Sequence, residues 1–179
     1  MKPVTATVCI IATGDQYAAM AATLVEDLKQ FFLTEDPVQV LLFTDRERSI
    51  EGNHRVRLEQ IDQAALPWPG PTLQRYAIMN RAARLISGEW VLYLDADMRV
   101  VAPLGADLKA SLASRSLWAV AHPGYWGRGL ARSTWNRLNG GPWESRRDSE
   151  AYITRRMRGQ YVCGGTQSGL RENYMSACR

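Results

Sequence analysis

Trp90–Val100 reads WVLYLDADMRV. Five apolar residues, Trp90 to Leu94, end abruptly in two carboxylates, Asp95 and Asp97, separated only by Ala96. A short apolar run with this ending has the pattern of a buried strand. Residues two apart on an extended chain point to the same side. Asp95 and Asp97 therefore set like charges side by side at a strand end, where they repel unless something positive sits between them. Two aspartates in a turn after a strand are also common on protein surfaces. The reading that carries chemistry is that both supply oxygens to a hard divalent cation, which shares phosphate oxygens of a substrate.

Working outward, the neighbouring segments alternate between strand and helix patterns. Val4–Ala12 (VTATVCIIA) is β-branched and apolar, as a central strand is. Thr13-Gly14-Asp15 breaks it, with Asp15 placed to cap a helix. Tyr17, Met20, Ala21, Leu24, Leu28 and Phe31 follow at helical spacing. Val38–Thr44 predicts a second strand and Arg55–Gln60 a short third. Leu66–Pro71 (LPWPGP) holds three prolines and a glycine in six residues, which forbids regular structure. Thr72 then opens a predicted helix with Leu73, Ala77, Ala82, Leu85 and Ile86 on one face, closed by Ser87-Gly88. After WVLYLDADMRV, Leu104–Ala113 predicts a helix and Leu117–Ala121 a strand. The whole predicts one α/β domain over residues 1–179, with helices around a mostly parallel sheet. Such sheets bind ligands beyond the carboxyl ends of their strands, where Asp95, Asp97 and Thr13-Gly14-Asp15 all fall.

Composition narrows the function classes. The 179 residues are 46 % hydrophobic and 22 % charged, which is globular rather than disordered. No apolar run reaches the length of a membrane span, and the N-terminus has no signal-peptide pattern, so the expected compartment is the cytoplasm, with a peripheral place at the inner membrane surface as a variant. Cys9, Cys163 and Cys178 form no CxxC, and an odd number suits no disulfide framework. Net charge is +4, and eleven arginines face four acids from Arg115 onward. That excess reads either as a solvated basic face or as attraction for a ligand with phosphates; the arginines are too scattered for a nucleic-acid stripe.

Other stretches also have two readings. Residues 122–150 carry five glycines, two prolines and three tryptophans, a long loop region with aromatic anchors. Within it, His122 is either structural or a ligand contact, followed by Tyr125 and Trp126, whose rings suit sugar faces. Cys163-Gly164-Gly165-Thr166-Gln167-Ser168-Gly169 is either a glycine turn between a strand and a helix or a backbone that lies close to a ligand. Arg75 and Arg81 sit on the helix after LPWPGP, where one of them could face a phosphate. Leu170, Tyr174, Ala177 and Cys178 fall at helical spacing, and the sequence reaches Arg179 with no glycine, proline or polar cap, as a helix cut short would.

Several of these stretches, in order, resemble glycosyltransferase family 6, the group of the blood-group A and B transferases, α-1,3-galactosyltransferase and their shorter bacterial relatives. The blocks are IATGDQY (Ile11–Tyr17), FTD (Phe43–Asp45), WPGPTLQRY (Trp68–Tyr76), YLDADM (Tyr93–Met98), HPGYWG (His122–Gly127), PWESRRDSEAYI (Pro142–Ile153) and YVCGGTQSG (Tyr161–Gly169). The resemblance implies a GT-A fold and retaining transfer of galactose or N-acetylgalactosamine from a UDP-sugar, in α-1,3 linkage, to a galactoside or fucosylated galactoside acceptor. It implies that Ile11, Thr13 and Tyr17 hold the uridine and that Arg75 belongs to the donor site. Asp95 and Asp97 would bind Mn²⁺ and the diphosphate, with Ala96 against the ribose. Gly164 and Gly165 are expected at the donor, and His122 and Cys163 toward the acceptor. Cys163 and Gly165 match positions that tune donor choice, and a small residue at 165 favours N-acetylgalactosamine.

The departures are specific. Bacterial members with NxN in place of DxD need no metal; here both aspartates are kept, so metal dependence is expected. GGTQSG lacks the aromatic pair of the family's segment, and the stretch from Asp97 to His122 is longer than in the mammalian enzymes. The family's Trp-His-Asp-Glu-like motif, which carries the proposed nucleophile, has no counterpart in these 179 residues. The nucleophile is therefore expected beyond Arg179. The expectation is an N-terminal piece that binds donor and metal without efficient transfer. Two other functions compete. A haloacid-dehalogenase-type phosphatase also places DxD after an apolar strand, but on its first strand and with a later acidic pair. The other is a non-catalytic nucleotide-sugar- or carbohydrate-binding remnant.

Overall fold

The computed structural model describes residues 3–46, 49–121, 144, 146–149, 152–154 and 162–179. Two compact units emerge from the contacts: residues 1–118 with 165–179, and residues 119–164.

The larger unit is built on β1 (Ala6–Ile11), β2 (Val38–Thr44), β3 (Val56–Asp62) and β4 (Trp90–Asp95), all parallel. Helix α1 (Asp15–Phe31) connects β1 to β2. Three short pieces precede β4: α2 (Gly70–Leu73), α3 (Arg75–Arg81) and a 3₁₀ turn (Ala83–Leu85). Then come α4 (Ala106–Ala113), β5 (Leu117–Ala121), β6 (Val162–Leu170) and α5 (Arg171–Ala177). The six-stranded sheet runs β3-β2-β1-β4-β6-β5, and β6 is antiparallel to β4. It is a mixed α/β sheet, mainly parallel and flanked by helices, compatible with a Rossmann-like fold.

Side-chain alternation explains the layers. Val8, Ile10, Val40, Leu42, Leu92 and Leu94 pack on one face with Leu24, Val25 and Leu28 of α1. Cys9, Ile11, Leu41, Phe43, Val91 and Tyr93 pack on the other with Ile78 and Met79 of α3 and Tyr174 and Met175 of α5. β1 and β2 are buried along their whole length, which is why their sequences are continuously apolar. Among the described residues no helix is long and apolar enough to cross a membrane, and all three cysteines are free.

At the amino end of the parallel strands sits a closed polar knot. Gln39, fully buried, accepts from Thr7 Oγ1 at 2.8 Å, Ser87 Oγ at 2.8 Å and Ser87 N at 3.1 Å. Its amide nitrogen donates to Glu59 Oε1 and to Leu85 O, both at 2.9 Å. Gly88 N donates to Thr7 Oγ1 at 2.9 Å, and a Cβ on Gly88 would lie 2.4 Å from Thr7 N. Glycine is required there because backbone passes directly over backbone.

Several local expectations are corrected. The residue at the cap position is Gly14, at φ 80°, with Asp15 the first residue of the helix, and the Gly14 N–H donates to Asp45 Oδ1 at 2.7 Å. The helix expected from Thr72 is broken, with Leu73 and Leu85 exposed. Ala82 and Ile86 are buried as expected, but the rest of the inward face is Arg75, Ile78 and Met79 rather than Leu73, Ala77 and Leu85. CGGTQSG is not a turn but part of β6, whose Thr166–Leu170 portion pairs with β4 despite the weak strand preference of glycine. The last helix, α5, spans Arg171–Ala177, and beyond it Cys178 N donates to Tyr174 O at 3.1 Å and Arg179 N to Ser176 O at 3.4 Å.

Candidate functional site

The order β3-β2-β1-β4 places a reversal between β1 and β4: the chain leaves β1 toward β2 and returns on the other side as β4. At such a reversal the two connections diverge and open a crevice beyond the carboxyl ends. Ile11 pairs in register with Asp95, so β1 and β4 end level with each other. A pocket of about 330 Å³ lies here, lined by Ile11, Thr13, Tyr17, Tyr93, Asp95, Ala96 and Asp97. Leu66, Trp68, Pro71 and Thr72 complete its wall.

Of the residues nominated from the sequence, Ile11, Thr13, Tyr17, Asp95, Ala96 and Asp97 thus come together. Asp95 is partly buried and Asp97 exposed. Met98 N donates to Asp95 O at 3.0 Å, which closes the turn that carries both carboxylates. Two residues on, Asp27 of α1 anchors the same segment: its buried carboxylate accepts from Arg99 Nε at 2.5 Å, Arg99 Nη2 at 3.0 Å and Val100 N at 3.2 Å. The Arg99 hydrogen bonds, opposed by burial and aided by Val100 N, hold the Asp27 carboxyl below its usual range.

Gly165 is also placed at the site. The register of β6 against β4 pairs Leu94 with Thr166, so the next step sets Gly165 opposite Asp95. A Cβ on Gly165 would lie 2.9 Å from Asp95 Oδ2 and 3.6 Å from Met98 Sδ. Glycine here leaves clearance for the carboxylate. Cys163 and Gly164 precede it in β6 and belong to the 119–164 unit. His122 lies outside the described residues, as does most of the 122–150 region. In that unit Arg146 pairs with Glu144 at 2.9 Å, and Ile153 N donates to Glu144 O at 3.0 Å. The nucleophile expected beyond Arg179 falls on none of the described residues, and Arg179 itself is not in the pocket lining.

Arg75 sits differently from a phosphate-facing arginine on an open surface. It is 6 % exposed, its Nε donates to Thr72 O at 3.0 Å, and its guanidinium lies 4.8 Å from the centre of the Tyr93 ring. It touches two residues of the pocket wall and is not itself in the lining. Arg81, the other candidate, donates to Gln63 Oε1 at 2.6 Å.

Tyr93 was legible as an apolar strand residue but not as part of a site. Its hydroxyl donates to Asp95 Oδ1 at 2.7 Å. Burial first, then the charge of Asp95 and this hydrogen bond, push the phenol well above its usual range, and it stays a donor. The signal that could have found it is its spacing, two residues before Asp95 on the same side of the strand. For Leu66, Trp68, Pro71 and Thr72 the signal was the irregular LPWPGP stretch beside a predicted carboxyl-end site.

The arrangement joins apolar and aromatic walls to two carboxylates at one end. Those oxygens suit a hard cation. Among the described residues no group of three or more His, Cys, Asp or Glu side chains converges. Compared with protein-family models and with curated proteins, the chain matches no model and no curated sequence significantly.

Proposed function

We propose that the chain is the nucleotide-sugar-binding part of a retaining glycosyltransferase of the GT-A type, using UDP-galactose or UDP-N-acetylgalactosamine with Mn²⁺. The observation that supports it is the pocket at the β1/β4 reversal, whose lining includes Ile11, Thr13, Tyr17, Asp95, Ala96 and Asp97. These are the residues to which the family resemblance assigns uridine, ribose and metal–diphosphate contacts. They are drawn from separate stretches of sequence, and one crevice unites them.

Each part has a physical task. The apolar and aromatic lining, with Ile11, Tyr17 and Trp68, takes the flat base and excludes water from it. Ala96, short and buried between two aspartates, leaves space for the ribose. Asp95 and Asp97 offer carboxylate oxygens to Mn²⁺, and the diphosphate supplies further oxygens where a third protein ligand would otherwise stand. When bound, the metal acts as a Lewis acid that stabilises the departing diphosphate. Gly165 keeps the chain low beside Asp95. The acceptor is a galactoside, plain or fucosylated, with His122 and Cys163 assigned to its side by the resemblance. The same resemblance assigns the nucleophile to sequence beyond Arg179, so the proposed role of these residues is binding of donor and metal.

Titration calorimetry with UDP, with and without Mn²⁺, tests this reading. Mn²⁺ is expected to tighten UDP binding by at least about 10-fold, and Asp97→Asn to remove that gain. UDP binding that ignores Mn²⁺, or a gain that survives Asp97→Asn, would sink it.

A further inference from the structure

Asp95 is held on two sides, and one of its partners has no role in the proposed function. Tyr93 and Asp95 are two apart on β4, so both project from the same face of the strand. The Tyr93 hydroxyl reaches Asp95 Oδ1 at 2.7 Å. The other oxygen, Oδ2, faces Gly165, where any Cβ would press to 2.9 Å. One oxygen is therefore pinned while clearance is preserved at the other.

Behind Tyr93 stands Arg75. Its guanidinium covers the ring at 4.8 Å, a cation–π distance, and its Nε is fixed to Thr72 O. The ring is 3 % exposed, clamped between this guanidinium and the core of Ile78, Met79 and Tyr174. Across the strand pair Tyr93 faces Gln167, whose Oε1 accepts from Tyr76 Oη of α3 at 2.6 Å. The phenol thus has little freedom, and what it orients inherits that rigidity. Ligating carboxylates need such outer partners, because a free carboxylate rotates among orientations and loses entropy on coordination.

We propose that Tyr93 is the positioning residue of the Asp95 carboxylate, braced by Arg75, and that this pair presets Asp95 for a divalent cation. The inference rests on Asp95 and Asp97 being the cation's carboxylates. It assigns Arg75 an action on the site through Tyr93 instead of direct contact with the donor.

The experiment is a Mn²⁺ titration followed by electron paramagnetic resonance of the free ion, with UDP present, on the wild type, Tyr93→Phe, Arg75→Lys and Asp97→Asn. UDP affinity in EDTA is measured beside it. Tyr93→Phe removes one oxygen and keeps the ring. Expected is a loss of about 10- to 100-fold in Mn²⁺ affinity, well beyond any loss of metal-free UDP affinity, with the variant still folded. A merely structural tyrosine would move the midpoint and the metal-free affinity instead. Arg75→Lys, which loses the planar stack, should show a smaller loss in the same direction, and it carries the test if Tyr93→Phe does not fold. Mn²⁺ affinity within about twofold of wild type in the folded variants overturns the positioning role, while the Asp97→Asn loss leaves the cation reading standing. A wild type that binds no Mn²⁺ overturns both. Equal weakening of Mn²⁺ and metal-free UDP overturns the inference alone, since Tyr93 would then be only a wall of the pocket.

Discussion

The two ends of the parallel sheet are built from the same strands and differ in almost every other respect. At the amino end, Gln39 uses both ends of its amide, on Thr7, Ser87, Glu59 and Leu85, and Gly88 lets two backbones pass within contact. At the carboxyl end the strands stop level, the connections diverge, and Asp95 and Asp97 face a pocket. A buried polar network is worth having only if its members are satisfied, so the amino end is a closed solution. At the other end Asp95, partly buried, and Asp97, exposed, stand in the wall of a pocket. The closed polar network and the candidate pocket are thus separated along the strand direction, by the 6 residues of β4.

Substitutions can test that separation. Gly88→Ala should have the largest effect on stability, a loss of about 3 kcal/mol, because its Cβ meets backbone atoms that cannot move aside. A shift in the urea midpoint measures it; a shift near zero would mean the amino end is looser than its contacts imply. Gln39→Leu comes next, at about 2 kcal/mol, since Thr7, Ser87 and Leu85 lose partners at once. The same urea titration checks it, and UDP binding by the remaining folded protein should be unaltered.

Asp27 lies between the extremes, a structural carboxylate serving the turn after Asp97. Its folded carboxyl is held low, so the stability it contributes is present above the unfolded carboxylate value, about 3.9, and is lost as pH falls through the depressed folded value. Asp27→Asn should cost about 1 kcal/mol at pH 7 and flatten the acid limb of a stability–pH profile. An unchanged acid limb would show that Arg99 does not hold this carboxylate in solution. The smallest stability effect belongs to Asp97→Asn, within about 0.5 kcal/mol of wild type by thermal unfolding, since Asp97 is exposed. If it stabilised the protein strongly, the repulsion at the strand end would be larger than a shared solvent boundary permits.

Much of this frame was legible in the sequence for plain reasons. β1, β2 and β4 are apolar runs between breakers, and α1 repeats at helical spacing, so local pattern and tertiary burial agree. The DAD pair was legible because charge after an apolar run marks a strand end. What was not legible depends on partners distant in sequence. Arg75 looks like a surface arginine until Tyr93 is placed under it. The glycines of β6 look like a turn until Asp95 stands opposite one of them and Ser116 O against another, where a Cβ on Gly169 would lie 2.7 Å away. The break in the helix from Thr72 escaped notice because Leu73 and Leu85 fit an apolar face by spacing, while the inward side is set by the β1 and β4 surface. The cap position is Gly14 rather than Asp15, and the aspartate that holds its N–H, Asp45, lies 31 residues further on.

The close approach of Gly165 in β6 to Asp95 has a consequence for the order of assembly. Every described residue that lines the pocket lies between Ile11 and Asp97, so a nascent chain holds both walls of the crevice before β6 has been synthesised. β6 closes onto β4 across 72 positions (Leu94 to Thr166) to 80 (Trp90 to Leu170), the kind of distant contact that forms late because a long loop must first be closed. Its arrival converts β4 from an exposed edge into an interior strand, shielding the backbone of the DAD-bearing strand from pairing with another chain. The last strand to join is thus a guard for the first part of the site to exist.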